Sequence, residues 1–281
     1  MLRMCALLGV SRSGFYGWLE RRQQPPSASV ERRETVAAAV VQAHRDSNGV
    51  YGAPRITAEL REQGVTITRK TVAKVMNQLR IQGVSPRPWR VTTQVDHHAA
   101  PHPDLVNRTF DTGAVDRVWI SDITYLATGQ GWLYLAAVRD GCSRRVLGYA
   151  VADHMRAELV RDAVQHAVDL RGGLPEQVVF HADRGTQYTS TLVVDFATTN
   201  NLVCSVGRTG VCWDNAMAES FWASLKVEHY YRTTWPTKPD AIAGITRYID
   251  WYNTRRRHSA LGMISPLQFE LRHQPPAATA A

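Results

Sequence analysis

Residues 117–127 (RVWISDITYLA) and 131–139 (GWLYLAAVR) are two β-branched and aromatic runs on either side of a TGQG turn. Such residues suit a pleated, half-buried surface, and a short Gly-bearing turn between two such runs predicts a β-hairpin. Residues 145–151 predict a third strand. Next, Leu159, Val160, Ala163, Val164 and Ala167 recur at helical spacing and predict a helix over 156–170. The run QVVFH (177–181) follows Gly-Gly-Leu-Pro and predicts a short strand, with a helix over 191–200 and a strand over 202–206. Helices over 213–230 and 240–251 close the pattern. This part of the chain is therefore built on a sheet with helices against it.

Three strands in a meander, then helix, strand, helix, strand and closing helices, is the order of an RNase H-like α/β layer, a mixed sheet flanked by helices. The N-terminal part differs. Residues 4–8, a Gly9 turn and residues 11–19 predict a small helical pair, with Ser11 or Ser13 as a cap. After the Pro/Ser linker QQPPSAS, a helix over 31–45 leads to one over 55–63, with Pro54 in its first turn and Gly64 as its stop. Thr68 caps the next helix, which turns Val72, Val75, Met76 and Leu79 inward and keeps Arg69, Lys70, Lys74 and Arg80 outside. Two helices joined by a short Gly-containing turn, the second basic at its start, fit a helix-turn-helix. Residues 85–104 hold four prolines and little periodic pattern, so His97, His98 and His102 read as linker histidines rather than metal ligands.

The expected boundaries are thus a short helix-turn-helix-like segment (1–24), a helix-turn-helix DNA-binding domain (30–84) and a linker (85–110). An RNase H-like core with C-terminal helices (111–272) and a disordered tail (273–281) follow. Charge divides along the same line. Residues 1–110 carry 16 Lys+Arg against 8 Asp+Glu, whereas residues 111–281 carry 17 against 17. A basic block on a neutral body reads as an electrostatic footprint for nucleic acid or as a solvated basic surface. Its cations are nearly all arginine, which suits bidentate phosphate contact. Four scattered cysteines without a CxxC pair argue against a disulfide framework and a cysteine zinc site. No apolar run is long enough to cross a bilayer, and no signal peptide is legible.

Three acids fall where acids are costly. Asp122 lies in the apolar first strand, Asp183 just beyond the strand 177–181, and Glu219 among Ala216, Met217, Ala218, Phe221 and Trp222. An acid in such surroundings is either paired or bound to a metal. In this topology the first and fourth strands run side by side, so Asp122 and Asp183 can face one point. A helix packed across the strand ends would bring Glu219 to it. Three carboxylates without Cys or His suit hard divalent cations, and two such ions roughly 4 Å apart support phosphodiester chemistry. Taken singly, each acid also fits a cap or a salt bridge. Glu219, Trp222 and Lys226 share a helix face, so Lys226 can reach phosphate or stay solvated.

Asp122, Asp183 and Glu219, with 35 residues between the last two, resemble the D-D-35-E triad of retroviral-integrase-type enzymes. More narrowly, the chain is similar to the second-frame (OrfB) proteins of the IS-three group of bacterial insertion-sequence transposases. The matching words are WISDITYL (119–126), HADRGTQYTS (181–190), WDNAMAESFWASLKVE (213–228) and YNTRRRHSALGMISPLQFE (252–270), with YGAPRITAEL (51–60) and the opening LLGVSRSGFYGWL. Together they span nearly the whole chain.

The resemblance implies a Mg²⁺-dependent DDE transposase that nicks and joins DNA at element ends, with Mn²⁺ as a substitute. Asp122, Asp183 and Glu219 would then be catalytic and metal-binding, with Lys226 at the family's basic position. DNA contacts are expected from Arg69, Lys70 and Lys74 and from the cluster Arg255, Arg256, Arg257 and His258. That cluster also fits a helix C-terminal charge complement. His181 and Gln187 orient Asp183, touch DNA or simply pack, and Asn215 caps or positions the Glu219 helix. Trp213 and Trp222 fit core packing better than base stacking. The implied partners are element ends, target duplex, further copies of the chain and the upstream-frame (OrfA) product, in the bacterial cytoplasm at the nucleoid. A DNA-binding regulator without catalysis and a nuclease that cuts without joining are the alternatives.

Overall fold

The computed structural model describes residues 2–7, 9–23, 25, 27–85, 103–106, 109–174, 176–183, 185–207 and 216–273. Chain contacts separate it into a unit ending at Gly83 and a second beginning at Val84.

The first unit is helical: α1 (Leu2–Leu7), α2 (Arg12–Gln23), α3 (Ala28–Asp46), α4 (Ala53–Glu62) and α5 (Arg69–Gln78). Ser11 Oγ accepts from the Gly14 amide at 3.0 Å and so caps α2. Val40, Ile56, Leu60, Val72 and Met76 are buried between α3, α4 and α5. Pro54 sits in the first turn of α4, where its missing N–H costs nothing. Gly64 leaves that helix at φ +81°, a left-handed angle that any side chain would resist. Thr68 accepts from the Thr71 amide and starts α5, as its position before the helix predicts. Arg69, Lys70 and Lys74 are exposed on α5.

The second unit holds β1 (Val118–Thr128), β2 (Gly131–Asp140), β3 (Val146–Ala152), α6 (Ala157–Arg171), β4 (Val178–Ala182), α7 (Thr191–Thr199) and β5 (Leu202–Val206). Helices α8 (Ala216–Glu228), α9 (Lys238–Thr254) and α10 (Pro266–His273) complete it. The strands form one sheet in the order β3-β2-β1-β4-β5. The meander pairs are antiparallel, and β1–β4 and β4–β5 are parallel. This is the RNase H-like mixed sheet that the element order predicts.

Strand periodicity divides the core in two. Trp119, Ala136 and Val138 face Leu159, Val160, Ala163 and Val164 of α6 and Val193 of α7. Their neighbours Leu126, Leu133, Leu135 and Ala137 face Phe221 and Leu225 of α8 and Ile245 and Ile249 of α9. Each fully buried branched or aromatic side chain contributes roughly 1.5–3 kcal/mol of transfer free energy. At Gly148, β3 runs so close to α6 that a Cβ would enter the backbone of Ala163 and Ala167.

Helix α9 is longer than its apolar pattern over 240–251 suggests. Thr237 accepts from the Asp240 amide and extends the helix at its start. Helix α10 has no counterpart among the predicted elements. It is anchored through a charge: Glu270, only 4% exposed, accepts from Ser143, Arg145 and Arg171. Among the described residues, no helix is long and apolar enough to cross a membrane.

Candidate active site

The parallel pairing of β1 with β4 matches Val118 to Val179, Trp119 to Phe180 and Ile120 to His181. Asp122 lies two residues beyond the last of these pairs on β1, and Asp183 follows directly on the end of β4 at Ala182. Side chains alternate along a strand, so Asp122 lies on the face of Val118 and Ile120. Those two residues pack against Met217, in the first turn of α8. That same turn carries Glu219, which is partly buried. Alternation and packing therefore put Asp122 on the face of β1 against which the first turn of α8 packs.

The helix is tied to the strand directly. Trp222 Nε1 donates to Asp122 Oδ2 at 3.0 Å, while Asp122 Oδ1 accepts from the Ile123 amide at 2.8 Å. The Trp222 ring is otherwise buried against Phe221, so core packing, the better-supported expectation, is its role. Its N–H is a site contact that the sequence did not reveal. Lys226, one turn further on, holds its Nζ 5.3 Å above the Tyr125 ring. Burial lowers the Lys226 pKa, and the charge of Asp122 works against that shift.

Asp183 keeps solvent contact, yet the surrounding protein pushes its carboxyl above the ordinary range. The Gly185 amide, donating at 3.0 Å, opposes that shift. Tyr188 is buried, its hydroxyl 3.1 Å from Ser121 Oγ. Its pKa stands well above the usual phenol value, first through burial, then through the charge of Asp122, with Asp183 adding to it. Tyr188 belongs to the quoted HADRGTQYTS word, and its spacing after Asp183 was the available signal.

The supporting residues separate. His181 is 1% exposed, bonds Ser205 Oγ at 2.9 Å and packs edge-on to Phe110. It is a core residue, and the expectation that it touches DNA is withdrawn. Gln187 donates to the Met155 carbonyl at 3.1 Å, which ties the loop after Asp183 to the loop before α6. Asn215 and Trp213 lie outside the described residues, as do His97, His98 and His102.

The basic cluster after α9 also requires correction. Arg256 is buried and grips Glu228 with two bonds, Nη2–Oε1 at 2.6 Å and Nε–Oε2 at 2.7 Å. Arg257 is buried too and donates to the Met263 carbonyl at 2.9 Å. Neither guanidinium is placed to reach phosphate, because burial and these bonds engage them inside the fold. Arg255 is exposed, and His258 packs edge-on to Tyr252 at 4.8 Å. A further buried cation, Arg139, donates to the Met217 carbonyl at 2.8 Å and to the Tyr252 hydroxyl at 3.1 Å. It therefore holds the start of the Glu219 helix. In the sequence, the signal for this anchor is an Arg that closes the apolar run GWLYLAAVR.

The donor set is all oxygen, which fits a hard divalent cation. Among the described residues, no three His, Cys, Asp or Glu side chains stand close enough to hold a metal ion.

Residues 114–212 and 200–266 each match a family model described as an integrase core domain, and residues 31–89 match an HTH-like domain. The chain is 40% identical over 271 residues to the transposase InsF for insertion sequence IS3A of Escherichia coli (strain K12), covering 95% of this chain and 92% of that one. It is 36% identical over 276 residues to the insertion element IS600 uncharacterized 31 kDa protein of Shigella sonnei, covering 98% of this chain and all of the other. Among solved structures, the catalytic core domain of BIV integrase superposes with a TM-score of 0.43 at 16% identity, over 56% of this chain and 95% of that chain.

Proposed function

This chain belongs to the insertion-sequence transposase family of InsF, and from that membership we propose that Asp122, Asp183 and Glu219 are its catalytic, metal-holding carboxylates. The family's reaction is polynucleotidyl transfer on DNA. Water attacks a phosphodiester, the P–O3′ bond breaks and a 3′-hydroxyl is released. That hydroxyl then attacks a target phosphodiester; one P–O bond forms as another breaks, so joining needs no external energy source.

What supports the site assignment is the parallel β1–β4 pairing, which ends two residues before Asp122 and Asp183, together with the packing of Met217, in the turn of α8 that carries Glu219, against Val118 and Ile120. Divalent cations held by these acids, Mg²⁺ as two ions with Mn²⁺ as a substitute, would supply charge neutralisation at phosphorus and an activated attacking oxygen. The chain's own residues supply positioning. Trp222 fixes the rotamer of Asp122 through its N–H, and the Gly185 amide does the same for Asp183. Lys226 offers a cation to the phosphate beside them.

DNA is the partner of both units. Arg69, Lys70 and Lys74 on α5 contact phosphate at the element end, consistent with the HTH-like match over 31–89, and Arg255 contacts it beside the core. His258, partly buried against Tyr252, is left to packing. Residues 1–24 and 30–84 act as the DNA-reading modules, 85–110 as the linker and 111–272 as the core. We place the protein at the bacterial nucleoid, assembling as several copies on DNA with the upstream-frame product as fusion or partner.

A strand-transfer assay tests the site. It uses a duplex ending in the terminal repeat of the element that encodes this chain, with Mg²⁺ present and with or without the upstream product. Joined products form with the unaltered chain and vanish in Asp122→Asn and Glu219→Gln, while both variants still bind duplex. Cleavage that survives Asp122→Asn overturns the carboxylate assignment.

A further inference from the structure

Aromatic side chains belong mostly in cores, where each buries about 150–250 Å². Two near the β1–β2 turn do not. Tyr125 is 61% exposed and Trp132 is 52% exposed. The register sets Tyr125 opposite Tyr134 and Trp132 opposite Ala127, so the two rings are diagonal neighbours on one face. They meet edge to face with centroids 5.3 Å apart. Lys226 completes the group, with its Nζ 5.3 Å above the Tyr125 ring. Asp122, three residues before Tyr125 on β1, acts electrostatically on the same lysine.

We propose that Tyr125 and Trp132 form a stacking platform for an unpaired base of the DNA strand whose phosphate meets Lys226. The proposal rests on the reading of Asp122 as a catalytic carboxylate, because that places the scissile strand beside Lys226. Charge complementarity selects the occupant: a nucleotide brings an anion for the lysine and a flat π-face for the rings. Every base has such a face, so the platform is indifferent to sequence. A protein partner fits less well. Two rings offer far less than the roughly 1,000 Å² a specific protein interface requires. The family reaction works at a strand end, where bases can leave the duplex. An aromatic pair there would hold the end open and keep the 3′-terminal phosphodiester accessible.

The experiment uses the full chain and two duplexes bearing the element's terminal repeat, one blunt and one with an unpaired 2-aminopurine next to the processed end. Stacking quenches 2-aminopurine fluorescence. The unaltered chain quenches the probe and binds the unpaired end more tightly than the blunt one. Tyr125→Ala and Trp132→Ala abolish the quenching and reduce that preference roughly 5- to 100-fold, the range for losing one stacked base. Tyr125→Phe and Trp132→Phe retain both, and thermal melting verifies that all four variants fold. Asp122→Asn keeps the quenching while losing cleavage, which separates the platform from the catalytic assignment. Unchanged quenching in both alanine variants overturns the proposal. So does an equal loss of affinity on blunt and unpaired ends, or a loss of self-association with quenching intact, which would make the rings a protein contact.

Discussion

Asp122 and Arg139 show what a single residue reveals about a buried site. Asp122 interrupts an apolar strand and Arg139 closes an apolar run, and a charge in such surroundings needs a partner. Their partners were not legible. The Trp222 N–H that binds Asp122 lies 100 residues away in sequence, and its direction depends on how α8 crosses the sheet. The same limit applies to Arg256: three consecutive arginines look like a phosphate-binding edge, but Glu228, 28 residues earlier, is the counter-charge. Trp222→Phe tests the value of the indole N–H while keeping most of the ring's volume. A hydrogen bond to a charged group is worth about 1.5–3 kcal/mol, so strand-transfer kcat is expected to fall roughly 10- to 100-fold. Single-turnover kinetics and duplex titration check the result: kcat falls while duplex affinity holds. Equal losses in both would reduce Trp222 to a packing residue.

Among the elements, α8 carries the most constraint. Arg139 holds its first turn through the Met217 carbonyl, Trp222 ties its middle to β1, and Glu228 ends it in a buried bond with Arg256 that Tyr248 joins at 3.1 Å. Removing one member of a buried pair leaves a charge without compensation, at a cost of about 3–5 kcal/mol. Arg256→Met is therefore expected to lower the urea midpoint sharply, and Arg256→Met with Glu228→Gln to recover part of the loss. The strands and the longer helices were legible because their apolar residues follow a period of two or of 3.6. Helix α10 was not, because a carboxylate rather than an apolar stripe docks it. Burial alone would raise the Glu270 pKa, but Arg171, Arg145 and Ser143 outweigh burial and hold it below the ordinary glutamate value. A depressed carboxylate pKa stabilises the fold above the unfolded-state pKa, about 4.3, and that stability is lost as pH falls through the folded-state value. Chemical denaturation from pH 6 down to pH 3 should show the loss, and Glu270→Gln should flatten that part of the profile.

Along the whole chain, the HTH-like match and the integrase-core matches fall on different stretches of the sequence, and charge divides near the same line. The excess of Lys+Arg lies within residues 1–110, and the remaining 171 residues are balanced. This division was visible in the sequence because net charge needs no knowledge of packing. Which arginines face outward was not, as Arg139, Arg256 and Arg257 demonstrate by turning inward. The exposed cations of α5, Arg69, Lys70 and Lys74, are the candidates for phosphate contact. Each phosphate that a protein neutralises releases counterions, and log K falls with log salt at about 0.9 per contact on duplex DNA. If Arg69, Lys70 and Lys74 each hold one phosphate, replacing all three with Ala should lower the salt slope by about 2.7. Fluorescence titrations of an element-end duplex between 50 and 300 mM KCl measure it. Because phosphate contact carries no sequence information, the loss should be the same on unrelated duplex. A slope that stays constant would move the electrostatic contact away from α5. A loss confined to the element end would mean that these side chains read bases.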